Sequence, residues 1–209
     1  MPPKLPLWLK LAFTAWMLFW VPATIVIYGW QNFFWLCNLA NFLILAALWL
    51  ESRVLMSAQL LAVCVVGVMW LLDVSVAFLF EFHPIGGTEY MFDEQVPLQI
   101  RLISCYHVML PVVAGYACSR LGYDPRGLWL QTGLTWLAIP LTRLFTEPER
   151  NINWVYGPFH DVDVPYSPLV YLILLMLLSP LVLYLPVHLA MQQRVRNRCH
   201  DKRDVSDRL

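Results

Sequence analysis

Charge is scarce in this sequence. Of its 209 residues only 13% are charged, against about 25% in a soluble domain, and the formal net charge is zero, which removes the basic surface that a nucleic-acid partner would call for. A disulfide framework is also missing. The five cysteines, Cys37, Cys64, Cys105, Cys118 and Cys199, are odd in number, four of them lie in apolar stretches, and no CxxC or Cys/His set has metal-ligand spacing. Internal repeats and low-complexity linkers are absent, so the chain reads as one domain. What fills the sequence instead is apolar: 59% hydrophobic residues with a mean hydropathy of +0.59. Ten Trp and nine Tyr accompany them, side chains that favour the bilayer–water boundary. Fifteen Pro suit a membrane bundle, where neighbouring helices satisfy freed backbone carbonyls.

The hydrocarbon layer takes about 20 apolar residues to cross as a helix. Six stretches meet or approach that length: 11–29, 33–50, 54–76, 102–119, 128–144 and 169–191. The predicted fold class is therefore all-α, an integral membrane bundle of six transmembrane helices over residues 1–192, followed by a basic tail, 193–209. The first stretch has Lys4 and Lys10 before it but no A-x-A cleavage site after it, and reads as an uncleaved span. Alternating the spans puts eleven of the fourteen Lys and Arg on the side of the two termini and leaves Arg101, Arg143 and Arg150 on the other. The positive-inside rule then gives an N-in/C-in topology in the cytoplasmic (inner) membrane. The tail, with six basic and three acidic residues, is suited to contact with anionic headgroups. Whether 83–98 dips back into the membrane is open. Ala58 with Ala62 and Gly115 with Ser119 have the spacing for close helix packing.

With that orientation, polar side chains from four helices fall at one depth in the outer half. The stretch "FWLCNLANFLILAALWLESR" puts Cys37, Asn38 and Asn41 one to two turns below the outer surface; Asp73, His107 and Arg143 come from the third, fourth and fifth helices. Polar groups in hydrocarbon are costly and turn toward the bundle interior. A pocket lined by Asn38, Asn41, Arg143, Asn151 and Asn153 is expected there. Its plain reading is interhelical hydrogen-bond glue, with Asp73 and Arg143 as an ion pair. A sharper reading makes Cys37 a nucleophile, His107 its base and Asp73 the group that orients the base, with Asn38 or Asn41 donating to an oxyanion. A third reading centres a proton relay or small transporter on Asp73. His160, Asp161 and Asp163 with His83 or Glu81 form a weak metal candidate outside the membrane; no resident metal or cofactor is expected, and the expected partners are membrane lipids.

Six segments together, "FWLCNLANFLILAALWLESR", "TEYMFD", "PLQIRLISCYHVMLP", "RLGYDPRG", "LQTGL" and "NINWVYGP", resemble an uncharacterised family of bacterial polytopic membrane proteins. The resemblance runs from about Phe33 to His188 and brings no activity with it. More distantly the chain is similar to YwaF-type membrane proteins, a wider group with eukaryotic relatives that are lipid acyltransferases or lipid hydrolases. That similarity implies roles for Cys37 and His107.

Overall fold

The computed structural model describes residues 4–158 and 167–206, the last nine of these as backbone alone. It is all-helical among the described residues. Eight helices follow one another: α1 Leu7–Tyr28, α2 Leu36–Leu50, α3 Arg53–Phe80, α4 Leu98–Ile103, α5 Tyr106–Leu121, α6 Gly127–Phe145, α7 Pro168–Ser179 and α8 Leu185–Ser206. Four helical runs are long and apolar enough to cross a membrane: α1, α3, the joined α4–α5 run Leu98–Leu121, and the last run, Pro168–Asn197. α2 is apolar but has only 15 residues, and α6, with 19, carries more polar side chains. Large apolar side chains such as Val26 and Leu18 stand 84% and 74% exposed on the outside, a surface that hydrocarbon accepts and water does not.

α3 is the centre of the arrangement. Its 28 residues make a rod about 42 Å long at 1.5 Å per residue, and α2, α5, α6 and the last run all pack against it. Ser52 starts it by accepting the Leu55 N–H, an N-cap that satisfies one of the helix's orphan donors. Two glycines set its close contacts. A Cβ at Gly67 would stand 2.5 Å from the carbonyl oxygen of His107 and 2.6 Å from Pro111 Cγ, so α5 crosses where α3 has no side chain. Gly127 opens α6 against Ser57 and Ala58 in the same manner, with Cβ distances of 2.8 Å to each. Ala58 is thus at a real crossing, whereas Gly115 faces open space and plays no part in packing.

The last run is broken by a wide, π-type turn at Pro180–Tyr184. No residue of α7 above it is buried, while Tyr184 is 1% exposed. At the end of the bundle that holds the α2–α3 turn, Glu51 clamps the chain's beginning: its carboxylate accepts the backbone N–H groups of Lys4 (2.9 Å) and Leu5 (3.2 Å) and the Lys10 ammonium at 2.8 Å. Lys10 beside it holds the Glu51 carboxyl down to about 2. A depressed carboxyl contributes stability that is present above its unfolded value and is lost as pH falls toward the folded one. Detergent-solubilised protein is therefore expected to lose thermal stability between about pH 4.5 and 2 in a step that Glu51→Gln flattens.

Candidate functional site

The cluster around Cys37 is built at the start of α2. Gly29, at φ 75°, ends α1, and a 3₁₀ turn over Trp30–Phe34 leads to Trp35 and the first helical residue, Leu36. Asn153 fixes that entry from the far loop. Its Oδ1 accepts the Leu36 N–H at 2.9 Å, and its Nδ2 donates to the Phe34 carbonyl at 2.7 Å and to Thr142 Oγ1 at 3.1 Å. Asn38 ties the 3₁₀ turn down by donating to the Asn32 carbonyl at 2.7 Å. Asn41 accepts from Trp16 Nε1 at 3.1 Å and so links α1 to α2.

Between these amides lies Cys37. The Tyr106 hydroxyl, arriving from α5, points at Cys37 Sγ at 3.3 Å and hydrogen-bonds to Asn38 Oδ1. Trp20, wedged among Phe33, Phe42 and the Tyr106 ring with centroids 5.4–5.9 Å apart across the set, keeps Tyr106 in place. His107 follows it in sequence but turns elsewhere. Its Nδ1–H donates to the Ser104 carbonyl at 2.8 Å, which leaves Nε2 as the acceptor. Its ring is stacked between Trp70 (5.3 Å) and Tyr106 (4.2 Å). No hydrogen bond joins thiol and imidazole among the described residues; the Tyr106 ring and hydroxyl stand between them.

Asp73 occupies a neighbouring position one turn along α3 from Trp70. Its carboxylate accepts the backbone N–H groups of Ile85 (2.7 Å) and Gly86 (3.0 Å), the Thr88 hydroxyl, and His83 Nδ1 at 3.0 Å. Gly86 and Gly87, at φ 86° and 85°, let the chain curl around the carboxylate as only glycine does easily. The loop after α3 therefore runs back beside it. Trp70 Nε1 donates to the Tyr90 hydroxyl at 3.2 Å, although Trp70 lies ten residues before the end of α3, about 15 Å along its axis. Burial pushes the Tyr90 phenol up and keeps it protonated.

Arg143 is not the partner of Asp73. Its Nη1 donates to the Val155 carbonyl at 2.8 Å and its guanidinium lies 4.3 Å over the Tyr156 ring. Asn151 donates to the Gly157 carbonyl and accepts the Tyr156 N–H. The "NINW" segment, with Asn151, Asn153 and Trp154 all at positive φ, is thus a brace that ties α6 to the entry of α2. Cys37, Asn38 and Tyr106 come together with Asn41 alongside; Asp73, Arg143 and Asn151 each serve a separate set of bonds.

Tyr106, Trp70 and Tyr90 were not anticipated from sequence. Neither was a second buried chain nearer the other end: Gln59 donates to Gln131 (3.3 Å), Gln131 to Thr135 (3.3 Å), and Thr135 shares a 2.7 Å bond with the Tyr184 hydroxyl. Close by, Tyr123 and His188 Nδ1 are 2.6 Å apart. The four-residue spacing of Gln131 and Thr135 was the available signal. Among the described residues no group of three or more His, Cys, Asp or Glu is placed to hold a metal; His160, Asp161 and Asp163 lie outside them. No protein-family model, curated protein or solved structure matches the chain.

Proposed function

We propose that the protein is a six-segment, N-in/C-in protein of the bacterial inner membrane that binds membrane lipid in its outer half. The observation that carries this is the Tyr106 hydroxyl meeting the Cys37 thiol and the Asn38 amide inside an apolar bundle, with the His107 ring stacked on the Tyr106 ring at 4.2 Å. Thiol, phenol, amide and imidazole together supply the few polar groups that fix a ligand's orientation in an otherwise apolar site. The count of six is supported by α2, about 22 Å long and extended by its 3₁₀ turn, and by α6, about 28 Å. Orientation is supported by the distribution of Lys and Arg, and a reporter fused after the C-terminus is expected to be active only in the cytoplasm. The test of lipid binding is photolabelling with a phospholipid carrying a diazirine in its acyl chain. Adducts on residues 74–107 are expected; adducts confined to α7, which faces outward everywhere, would sink the reading.

A second reading, acyl transfer through Cys37, draws on the resemblance to YwaF-type proteins and on one local fact: the Tyr106 hydroxyl, bonded to Asn38 Oδ1, stands 3.3 Å from Cys37 Sγ. General-base help from His107 falls to Nε2, since Nδ1–H is held by the Ser104 carbonyl. Lipid profiles that are unchanged by Cys37→Ser, with photolabelling retained, would leave binding without chemistry. A relay through Asp73 has less support, because four donors already engage its carboxylate.

A further inference from the structure

Beside the Cys37 cluster, a groove of about 460 Å³ runs between α3 and the returning loop, lined by Val74, Ser75, Phe78, Leu79, Met91 and Phe92. Five of its six side chains are apolar, and Phe78 is 76% exposed, so the groove opens sideways toward the surroundings of the bundle. Met91 joins it to a cation. Arg101, on α4, donates from Nη1 to the Met91 carbonyl at 3.2 Å, while its Nε is buried without a hydrogen-bond partner. A buried N–H left unpaired costs free energy, and the guanidinium edge formed by Nε and Nη2 is the one that takes a phosphate bidentately. No acid of the loop neutralises it: among the described residues Arg101 belongs to no ion pair, and Glu89, Asp93 and Glu94 are exposed.

We infer that this groove and Arg101 form the recognition site for an anionic phospholipid, one acyl chain lying along Val74, Phe78 and Phe92 and the headgroup phosphate on Arg101. The inference rests on the lipid-binding reading above and adds a headgroup class to it. The acyl chain occupies the apolar groove, and the charge-assisted bonds replace the missing partner.

The experiment is lipid retention. Purified protein is reconstituted into nanodiscs of phosphatidylglycerol and phosphatidylethanolamine in equal parts, released into mild detergent, and its retained lipid measured by mass spectrometry. Wild type is expected to keep phosphatidylglycerol in excess, Arg101→Gln to lose that excess about tenfold, and Arg101→Lys to keep part of it. Val74→Trp, which fills the groove and leaves the charge, is expected to lower retention of both lipids; it also decides the matter if the Gln variant does not purify. Phosphatidylglycerol excess that survives Arg101→Gln, or retention that survives Val74→Trp, would overturn the assignment. Retention with no headgroup preference in wild type overturns the inference and spares the lipid-binding reading; no retention together with no photolabel in 74–107 removes both.

Discussion

Replacing Asp73 with Ala is expected to destabilise the protein by about 3–5 kcal/mol, the range for leaving the partners of a buried charge without it. The side chain is 1% exposed, and its loss strands two backbone N–H groups and leaves the Thr88 hydroxyl and His83 with only each other. Asn at this position keeps an acceptor for Ile85 and Gly86 but turns a donor toward Thr88 and His83, so its loss falls between wild type and Ala. Two measurements check the result: denaturant unfolding in micelles, and proteolysis of residues 81–97, which the Ala variant exposes first because only the Trp70–Tyr90 and Arg101–Met91 bonds then hold that segment. An Ala variant as stable and as protease-resistant as wild type would mean that the carboxylate does not anchor the loop.

Gly67→Val is the other large effect. The nearest atom to a new Cβ is the His107 carbonyl oxygen at 2.5 Å, closer than such atoms approach, and a backbone carbonyl cannot swing aside as a side-chain end does. Overpacking a tight contact costs about 1–3 kcal/mol, and here the upper end is expected, since α5 must move away from α3. That movement carries Tyr106 and His107 with it. Reaction of Cys37 with a lipid-soluble maleimide is therefore expected to rise along with the fall in unfolding midpoint. Gly115→Val, at a glycine with nothing near it, serves as the control and is expected to leave both unchanged.

The helices themselves were legible because hydrocarbon imposes one demand on a sequence, a long run without charge. The runs 54–76 and 128–144 lie inside α3 and α6, Arg53–Phe80 and Gly127–Phe145, and the shared level of Cys37 and residues 106–107 followed from alternating the runs. What could not be read were contacts that depend on loop path. Asp73 pairs with His83 and Thr88 because Gly86 and Gly87 allow a tight return, and no periodicity encodes that return. Arg143 finds a carbonyl and a phenol ring, those of Val155 and Tyr156, just past three left-handed residues, Asn151, Asn153 and Trp154. His107 has the side chain of a familiar base, but its neighbour Tyr106 is the residue at the thiol; a single helical step, about 100°, separates the residue that reaches Cys37 from the one that does not.

The wide turn at Pro180 has a bearing on how the final segment is read. An extra residue in one turn swings everything beyond it through roughly 100°, so a single helical wheel drawn across 168–197 mixes two unrelated stripes. Drawn separately, the upper half is leucine-rich on every side and at home among acyl chains, and the lower half brings Tyr184 and His188 round to meet Thr135 and Tyr123. The run thus has one half that is apolar with no buried residue and another anchored to the bundle by two buried side chains, Tyr184 and His188.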